Sequence, residues 1–470
     1  MKRQSAHLPS DPNTNWSRRR FLGVSAAAWA TVSIVPRHVL GTSGQASPNS
    51  RPNLAGVGIG GIGAAQLPAC EAAGFQISAL CDVDQVYGKK SFDKWPQARR
   101  YRDFREMLDT EGDKIDAVHI GTPDHTHTII ALEALKRKKH VCCVKPLTRT
   151  IEEVRVLVAA ALKAGTATQV TASPNTTNEA CRTCELIAAG AIGAVREVHI
   201  WSNRPIWPQG MERPEGQDAV PDTLDWKLWL GPAPARPFQQ KWPEGHYALR
   251  QMNIRNEPIS KGVYHPFNFR GWWDFGTGAL GDMGCHHFNT PFRALKLKSP
   301  EGVHATSTRL FPETAPLASI VTYDFPAREG LPPVRVVWYD GGLRPPCPPE
   351  ITGRPLPDEG VLYMGDRGTM LGSKILNPQQ ATKFETVPQT LPRRGGIWKE
   401  WMEAVRGGEK AGCHFEWAGM LAESVQLGNI SIRTGQRLTW DADTATFKNN
   451  PQATALVKAN YQNGWKLEGA

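Results

Sequence analysis

Residues 53–63 read Asn-Leu-Ala-Gly-Val-Gly-Ile-Gly-Gly-Ile-Gly, an apolar run that breaks into Gly58-x-Gly60-x-x-Gly63. The run has the make-up of a buried strand, and the glycines stand where a strand turns sharply into a helix. The first glycine permits the tight turn and the second lets backbone approach a pyrophosphate. The third allows close packing, with the helix start at Ile62 and Gly63 facing the anion. Asp82 ends the next apolar run, FQISALC, 24 residues after Gly58, where an acceptor for a ribose 2′-hydroxyl is expected. A carboxylate there repels a 2′-phosphate, which favours NAD over NADP.

Working outward, LAGVGI, FQISALC, KIDAVHI, HVCCVK and ATQVTA read as short strands. Between them GAAQLPACEAA, VYGKKSFDKW, DFREMLD, HTIIALEALKRK and IEEVRVLVAAALKAG read as helices. This alternation predicts an α/β Rossmann-type domain, a doubly wound parallel sheet, over residues 51–193. Thirteen of the sixteen Trp residues lie after position 200, together with Pro-rich loops. There VREVHIWS, ASIVTYDF, PVRVVWYD and GVLYMGD read as longer strands, and IWKEWMEAVRG and FEWAGMLAESVQLGNISIRTG as helices. The expectation is an α+β domain over 194–440 with a large open, mostly antiparallel sheet. Residues 441–470 are expected to form a tail that packs back on the fold.

The chain has 470 residues, 40% hydrophobic and 21% charged, which excludes a mainly disordered polymer. Its net charge is +10, and Lys2, Arg3, Arg18, Arg19, Arg20 and Arg37 against Asp11 supply half of it. The remainder forms no dense basic block, so a nucleic-acid partner is not expected. Residues 17–23, S-R-R-R-F-L-G, lead into an apolar stretch, 21–35, too short for a membrane span. Residues 1–50 therefore read as an export signal and linker, and the Arg pair before Phe-Leu resembles a twin-arginine (Tat) signal. That implies the Tat export machinery as a partner and a periplasmic or cell-envelope location. Nine cysteines show no disulfide framework and read as buried small hydrophobes. Cys181-x-x-Cys184 sits in a helical pattern without a second ligand pair, so no metal site is expected.

Three further segments carry chemistry. Gly121-Thr122-Pro123-Asp124-His125-Thr126-His127 follows the strand KIDAVHI and faces the cofactor cleft. Thr122, Pro123, His125 and His127 are candidates for cofactor contact, and Asp124 for a helix cap. Val144-Lys145-Pro146 ends another strand, and a Lys there needs a partner or a ligand. In the helical stretch 278–287, Asp282 and His286 stand i, i+4 on one face. A carboxylate beside an imidazole fixes its tautomer and suits it to take a hydroxyl proton. Tyr264, Arg270, Trp272 and Trp273, with Asn203, Arg204 and Trp207, form aromatic and polar clusters suited to sugar rings, and His287 is a secondary candidate. A hydrophobic seam between domains is the alternative reading of the same rings.

Taken together, G-x-G-x-x-G, the acid ending the second strand, T-P-x-x-x-H, K-P and D-x-x-x-H resemble the Gfo/Idh/MocA oxidoreductase family over residues 53–440. PRHVLG (36–41), NRPIWPQG (203–210) and WWDFGTGALGDMGCHH (272–287) resemble its exported branch. Val144 stands where the family has Glu, and Asn289 where Asp is usual. The resemblance implies that Lys145, Asp282 and His286 are the catalytic set and that Lys145 and Pro146 also border the cofactor. It further implies a homo-oligomer, dimer or tetramer. The expected activity is NAD-dependent oxidation of a hydroxyl on a sugar, cyclitol or glycoside. In that scheme His286 takes the proton, Asp282 orients it and Lys145 polarises the oxygen. Export away from a soluble NAD pool implies a cofactor that stays bound and is recycled. The alternatives are an NAD-assisted glycosidase, lyase or epimerase working through a transient keto-sugar, or a non-catalytic carbohydrate-binding relative.

Overall fold

The strands of the first sheet are short and apolar, and the inner ones are buried on both faces, the pattern of a parallel sheet sandwiched between helices. The computed structural model describes residues 51–250, 262–351, 353–448 and 450–468. The expected export signal lies outside the described residues. The strands are β1 (Asn53–Val57), β2 (Gln76–Cys81), β3 (Arg99–Tyr101), β4 (Ala117–Ile120), β5 (His140–Cys143) and β6 (Thr168–Val170). All pair in parallel in the order β3-β2-β1-β4-β5-β6. The order reverses between β1 and β4, and such a switch point opens a crevice at the carboxyl ends of the strands. The five expected strings are all strands. The sixth, β3, is an Arg-Arg-Tyr edge strand whose arginines are exposed, so it carries no apolar signal.

Local chemistry fixes the helix ends. At the helix Ile151–Ala164, Thr150 Oγ1 accepts the Glu153 N–H at 3.3 Å, and the Glu153 carboxylate accepts the Thr150 N–H at 2.8 Å. This reciprocal cap is worth about 1 kcal/mol. Glu153 also accepts the Tyr461 hydroxyl at 2.7 Å, so the cap anchors the C-terminal tail as well.

The second sheet has nine strands: β7 (Val195–Trp201), β8 (Gly302–Ser307), β9 (Ser319–Phe325), β10 (Val334–Tyr339), β11 (Gly360–Gly365), β12 (Gly368–Leu371), β13 (Lys374–Ile375), β14 (Leu438–Asp441) and β15 (Thr446–Phe447). Their order is β13-β12-β11-β7-β10-β9-β8-β14-β15, and among these pairs β7–β10 alone is parallel. β9 buries every second residue, so one face packs on the core. The buried helix Phe415–Thr434 lies between the two halves. It packs on Ile151–Ala164 and β6 on one side, and on β8, β9 and the helix Gly278–His287 on the other. This one helix thereby joins β6 of the first sheet to the second domain.

The cysteine expectation needs one correction. Eight thiols are buried, but Cys347 is exposed, because it lies in the Pro-rich loop after β10. Among the described residues no His, Cys, Asp and Glu cluster could hold a metal, and no helix is long and apolar enough to cross a membrane.

Candidate active site

A cavity of about 450 Å³ opens at the β1/β4 switch point, walled by Gly58, Gly60, Gly61, Ile62, Asp82, Thr122 and Pro123. Gly58 has φ +73°, and a Cβ there would meet the Thr122 backbone nitrogen at 2.6 Å. A Cβ on Gly63 would lie 2.0 Å from the Gly58 carbonyl oxygen. Both positions need glycine for the turn to close against β4. The helix Gly61–Ala72 begins at Gly60 without a side-chain cap, and its first-turn N–H groups face the cavity wall. An uncapped helix start on a cavity suits a phosphate.

Asp82 stands where expected and is more committed than expected. Its Oδ2 accepts the N–H groups of Ile59 at 2.9 Å and Gly60 at 3.1 Å, and Oδ1 accepts that of Asp84 at 2.9 Å. A carboxylate has about four lone-pair sites, so about one is left for a ribose hydroxyl. Burial pushes this carboxyl up, and the backbone donors hold it down.

The two histidines of the next turn do not line the cavity, which corrects the sequence reading. His125 is fully buried, with Nε2 at 2.9 Å from the Trp229 carbonyl and Nδ1 at 3.3 Å from that of Phe275. Burial lowers it to about 3. His127 spans two loops, with Nδ1 2.8 Å from the Pro146 carbonyl and Nε2 2.8 Å from that of Thr122. Both rings brace loops through backbone carbonyls instead of facing the cavity. Asp124 does not cap its helix; it accepts the Thr277 hydroxyl at 2.8 Å, tying this turn to the start of Gly278–His287.

On the far side the cavity meets Phe267, Phe269 and Arg270. Arg270 lies over the rings of Phe267 and Phe269 and donates from Nε to Asp282 Oδ1 at 3.2 Å. Asp282 also binds Lys145 Nζ, which comes from the end of β5, and Arg204 Nε stands 3.8 Å from Oδ2. Against the opposing effect of burial, Lys145 first and then Arg270 hold the Asp282 carboxyl well below its usual range. Arg204 is shared with Asn203 and with Glu359, the latter at 3.2 Å.

The expected Asp282–His286 hydrogen bond is not made. The two side chains share a helix face, but the carboxylate is engaged by cations from other elements. His286 Nδ1 instead accepts the backbone N–H of Ser173 at 2.8 Å, with the Ser173 hydroxyl at 3.0 Å. An Nδ1 that accepts a backbone N–H leaves the ring proton on Nε2. Burial and the Lys145 and Arg204 charges lower His286 to about 3. Ser173, just past β6, was not read from the sequence; its place at a carboxyl end of the sheet was the available signal.

Tyr264 and Trp272 are corrected from substrate contacts to core. Both are fully buried, with Trp272 Nε1 donating to the Val263 carbonyl at 2.9 Å and the Tyr264 hydroxyl to Gln239 Oε1 at 3.3 Å. Trp207 is also buried and sits 6.0 Å from Arg270, forming its platform rather than a sugar face. Trp273 lines a separate 270 Å³ depression under Arg433. In each case the apolar ring is worth more in the core than at a wet surface. His287 is half-buried beside Trp338, and its Nε2 has no hydrogen-bond partner among the described residues. Tyr87, Trp229 and Trp465 line the cavity without having been singled out in the sequence.

Residues 53–172 match the sequence model of an oxidoreductase family described as having an NAD-binding Rossmann fold. An inositol 2-dehydrogenase of Salmonella typhimurium is 30% identical over 112 residues, 23% of this chain and 33% of that protein. A glycosyl hydrolase family 109 protein of Solibacter usitatus is 34% identical over 123 residues, 24% of this chain and 28% of that protein. The matches span about a third of the length of such curated relatives. The crystal structure of the Bordetella pertussis WlbA dehydrogenase, in complex with NADH and UDP-GlcNAcA, superposes with a TM-score of 0.55 at 15% identity. It covers 84% of this chain and all of that one, a likeness of fold.

Proposed function

We propose, on the match of residues 53–172 to an NAD-binding oxidoreductase family model, that the chain is a Gfo/Idh/MocA-type NAD-dependent oxidoreductase acting on a hydroxyl or carbonyl of a sugar, cyclitol or glycoside. The observation that carries this reading is Arg270. It lines the nucleotide-sized cavity and bonds Asp282, so the cluster of Lys145, Asp282 and Arg204, which is not itself part of the cavity wall, adjoins the cavity through Arg270. A helix start open to phosphate, Asp82 with acceptor capacity to spare, and the Lys145–Asp282 pair with His286 are the parts such an enzyme needs.

A bound nicotinamide supplies the hydride donor or acceptor. The chain supplies the proton and the fixed dipoles. Lys145 Nζ and His286 Nε2–H are the two donors for the substrate oxygen, and both are preorganised, by Asp282 and by the Ser173 N–H. In the reducing direction Lys145 gives its proton to the carbonyl oxygen while His286 Nε2–H stays as a hydrogen-bond donor. The oxidising direction is the microscopic reverse, with the hydroxyl proton passing to Lys145 Nζ. This revises the expected role of His286 from base to donor. Val144 in place of Glu leaves Lys145 with a carboxylate partner all the same, because Asp282 provides it.

Export through Arg18 and Arg19 would carry the folded protein, with nucleotide already bound, to the periplasm, where the cofactor is recycled; Lys at both positions should retain it in the cytoplasm. Native mass spectrometry of the purified protein is expected to find bound NAD, and a protein free of nucleotide that also fails to bind it overturns the proposal. The similarity to a family 109 glycosyl hydrolase favours, as second reading, glycoside cleavage through a transient keto-sugar. Released sugar without net NADH separates it from simple dehydrogenation.

A further inference from the structure

The cavity that holds Asp82 is also lined by Phe104, Ile129 and Trp229, and by Trp465, distant in the chain from all three. Its ring lies 6.1 Å from that of Phe104, nearly parallel at 18°, and the Arg105 guanidinium sits 4.6 Å over it. Past Tyr461 the tail is tied down by separate bonds. Asn463 Nδ2 donates to the Gly231 and Ala233 carbonyls at 2.9 and 2.8 Å, the Gln462 N–H donates to the Pro232 carbonyl at 2.9 Å, and Glu468 pairs with Lys136. Residues 462–464 are exposed. Past Tyr461, whose hydroxyl is held by Glu153, the apolar contacts of the tail are those of Trp465 and Leu467, so this last segment lifts without unfolding the core.

We propose that this C-terminal tail is a strap over the adenine end of the dinucleotide cleft, with Trp465 as its contact to the base. The inference rests on the dinucleotide reading of the cavity. With pyrophosphate at Gly61–Gly63 and ribose at Asp82, the apolar walls of Phe104, Ile129 and Trp465 suit the base. The nucleotide then leaves only when the tail lifts, which gives a recycled cofactor a physical means of retention. Nothing else in the mechanism uses the tail.

The test is calorimetric titration of the full-length protein with NAD and with nicotinamide mononucleotide, which lacks the adenosine half, together with stopped-flow release rates. Trp465→Ala is expected to weaken NAD about tenfold and speed its release, as loss of a base–aromatic contact does, and to leave the mononucleotide unchanged. Asn463→Ala keeps the indole but removes two anchors, and it is expected to speed NAD release as well. NAD affinity and release equal to wild type in both variants overturn the strap. So does an equal loss of NAD and mononucleotide, which indicates damage to the whole cleft. Should Trp465→Ala fail to fold, the release rate of Asn463→Ala decides. A wild-type protein that binds the mononucleotide but gains nothing from the adenosine half overturns the strap alone; one that binds neither overturns the dinucleotide reading.

Discussion

Asp282→Asn removes one charge and little volume from the centre of the site. Lys145, Arg270 and Arg204 converge on this carboxylate, and the Lys145 and Asp282 side chains are only 15% and 8% exposed. Removing one partner of a buried pair strands the other charges, at a cost of about 3–5 kcal/mol. The folded carboxyl is held below its unfolded value near 3.8, so its contribution is complete above that value and is lost as pH falls through the folded one. At pH 7 the full loss is therefore expected as a lower urea midpoint, and wild type and variant should converge in strong acid. Adding Lys145→Met should recover part of it, because the two sites couple by about 1–3 kcal/mol. A loss below about 1 kcal/mol at pH 7, or one undiminished by Lys145→Met, would refute the claim that the pair is desolvated and mutually dependent.

His119, lowered to about 4, and His125 and His286, each lowered to about 3, bind fewer protons folded than unfolded. Stability should fall as pH drops below about 6.5, by about 1.4 kcal/mol per pH unit for each, and urea midpoints unchanged between pH 7 and 5 count against it. Gly63→Ala puts a Cβ 2.0 Å from the Gly58 oxygen, so NAD binding by calorimetry should vanish with a drop in melting temperature; retention of both sinks the packing argument. Nitrogen-15 NMR should show His286 as the Nε2–H tautomer from pH 5 to 8, and an Nδ1–H signal or a titration near 6.5 speaks against the Ser173 contact.

The glycine run at 58–63, Asp82 and the five apolar strand strings were legible because each is a local requirement. A turn against β4 needs glycine, and a strand buried on both faces needs an unbroken apolar run. β3, β13 and β15 were not, since two or three residues at an edge carry no periodicity, and the polar β8 is held by its neighbours. The family resemblance placed Lys145, Asp282 and His286 in one constellation, yet it could not say which of them touch. Helical spacing put Asp282 beside His286, whereas the tertiary structure gave Asp282 to three cations and His286 to a backbone amide. Likewise nothing near Trp465 marks it, because its neighbours Phe104 and Arg105 lie more than three hundred residues away in the chain. Which residues can form a turn or line a strand is decided within a few bonds of backbone, while which charge meets which is decided by whatever the rest of the chain brings to the same low-dielectric space.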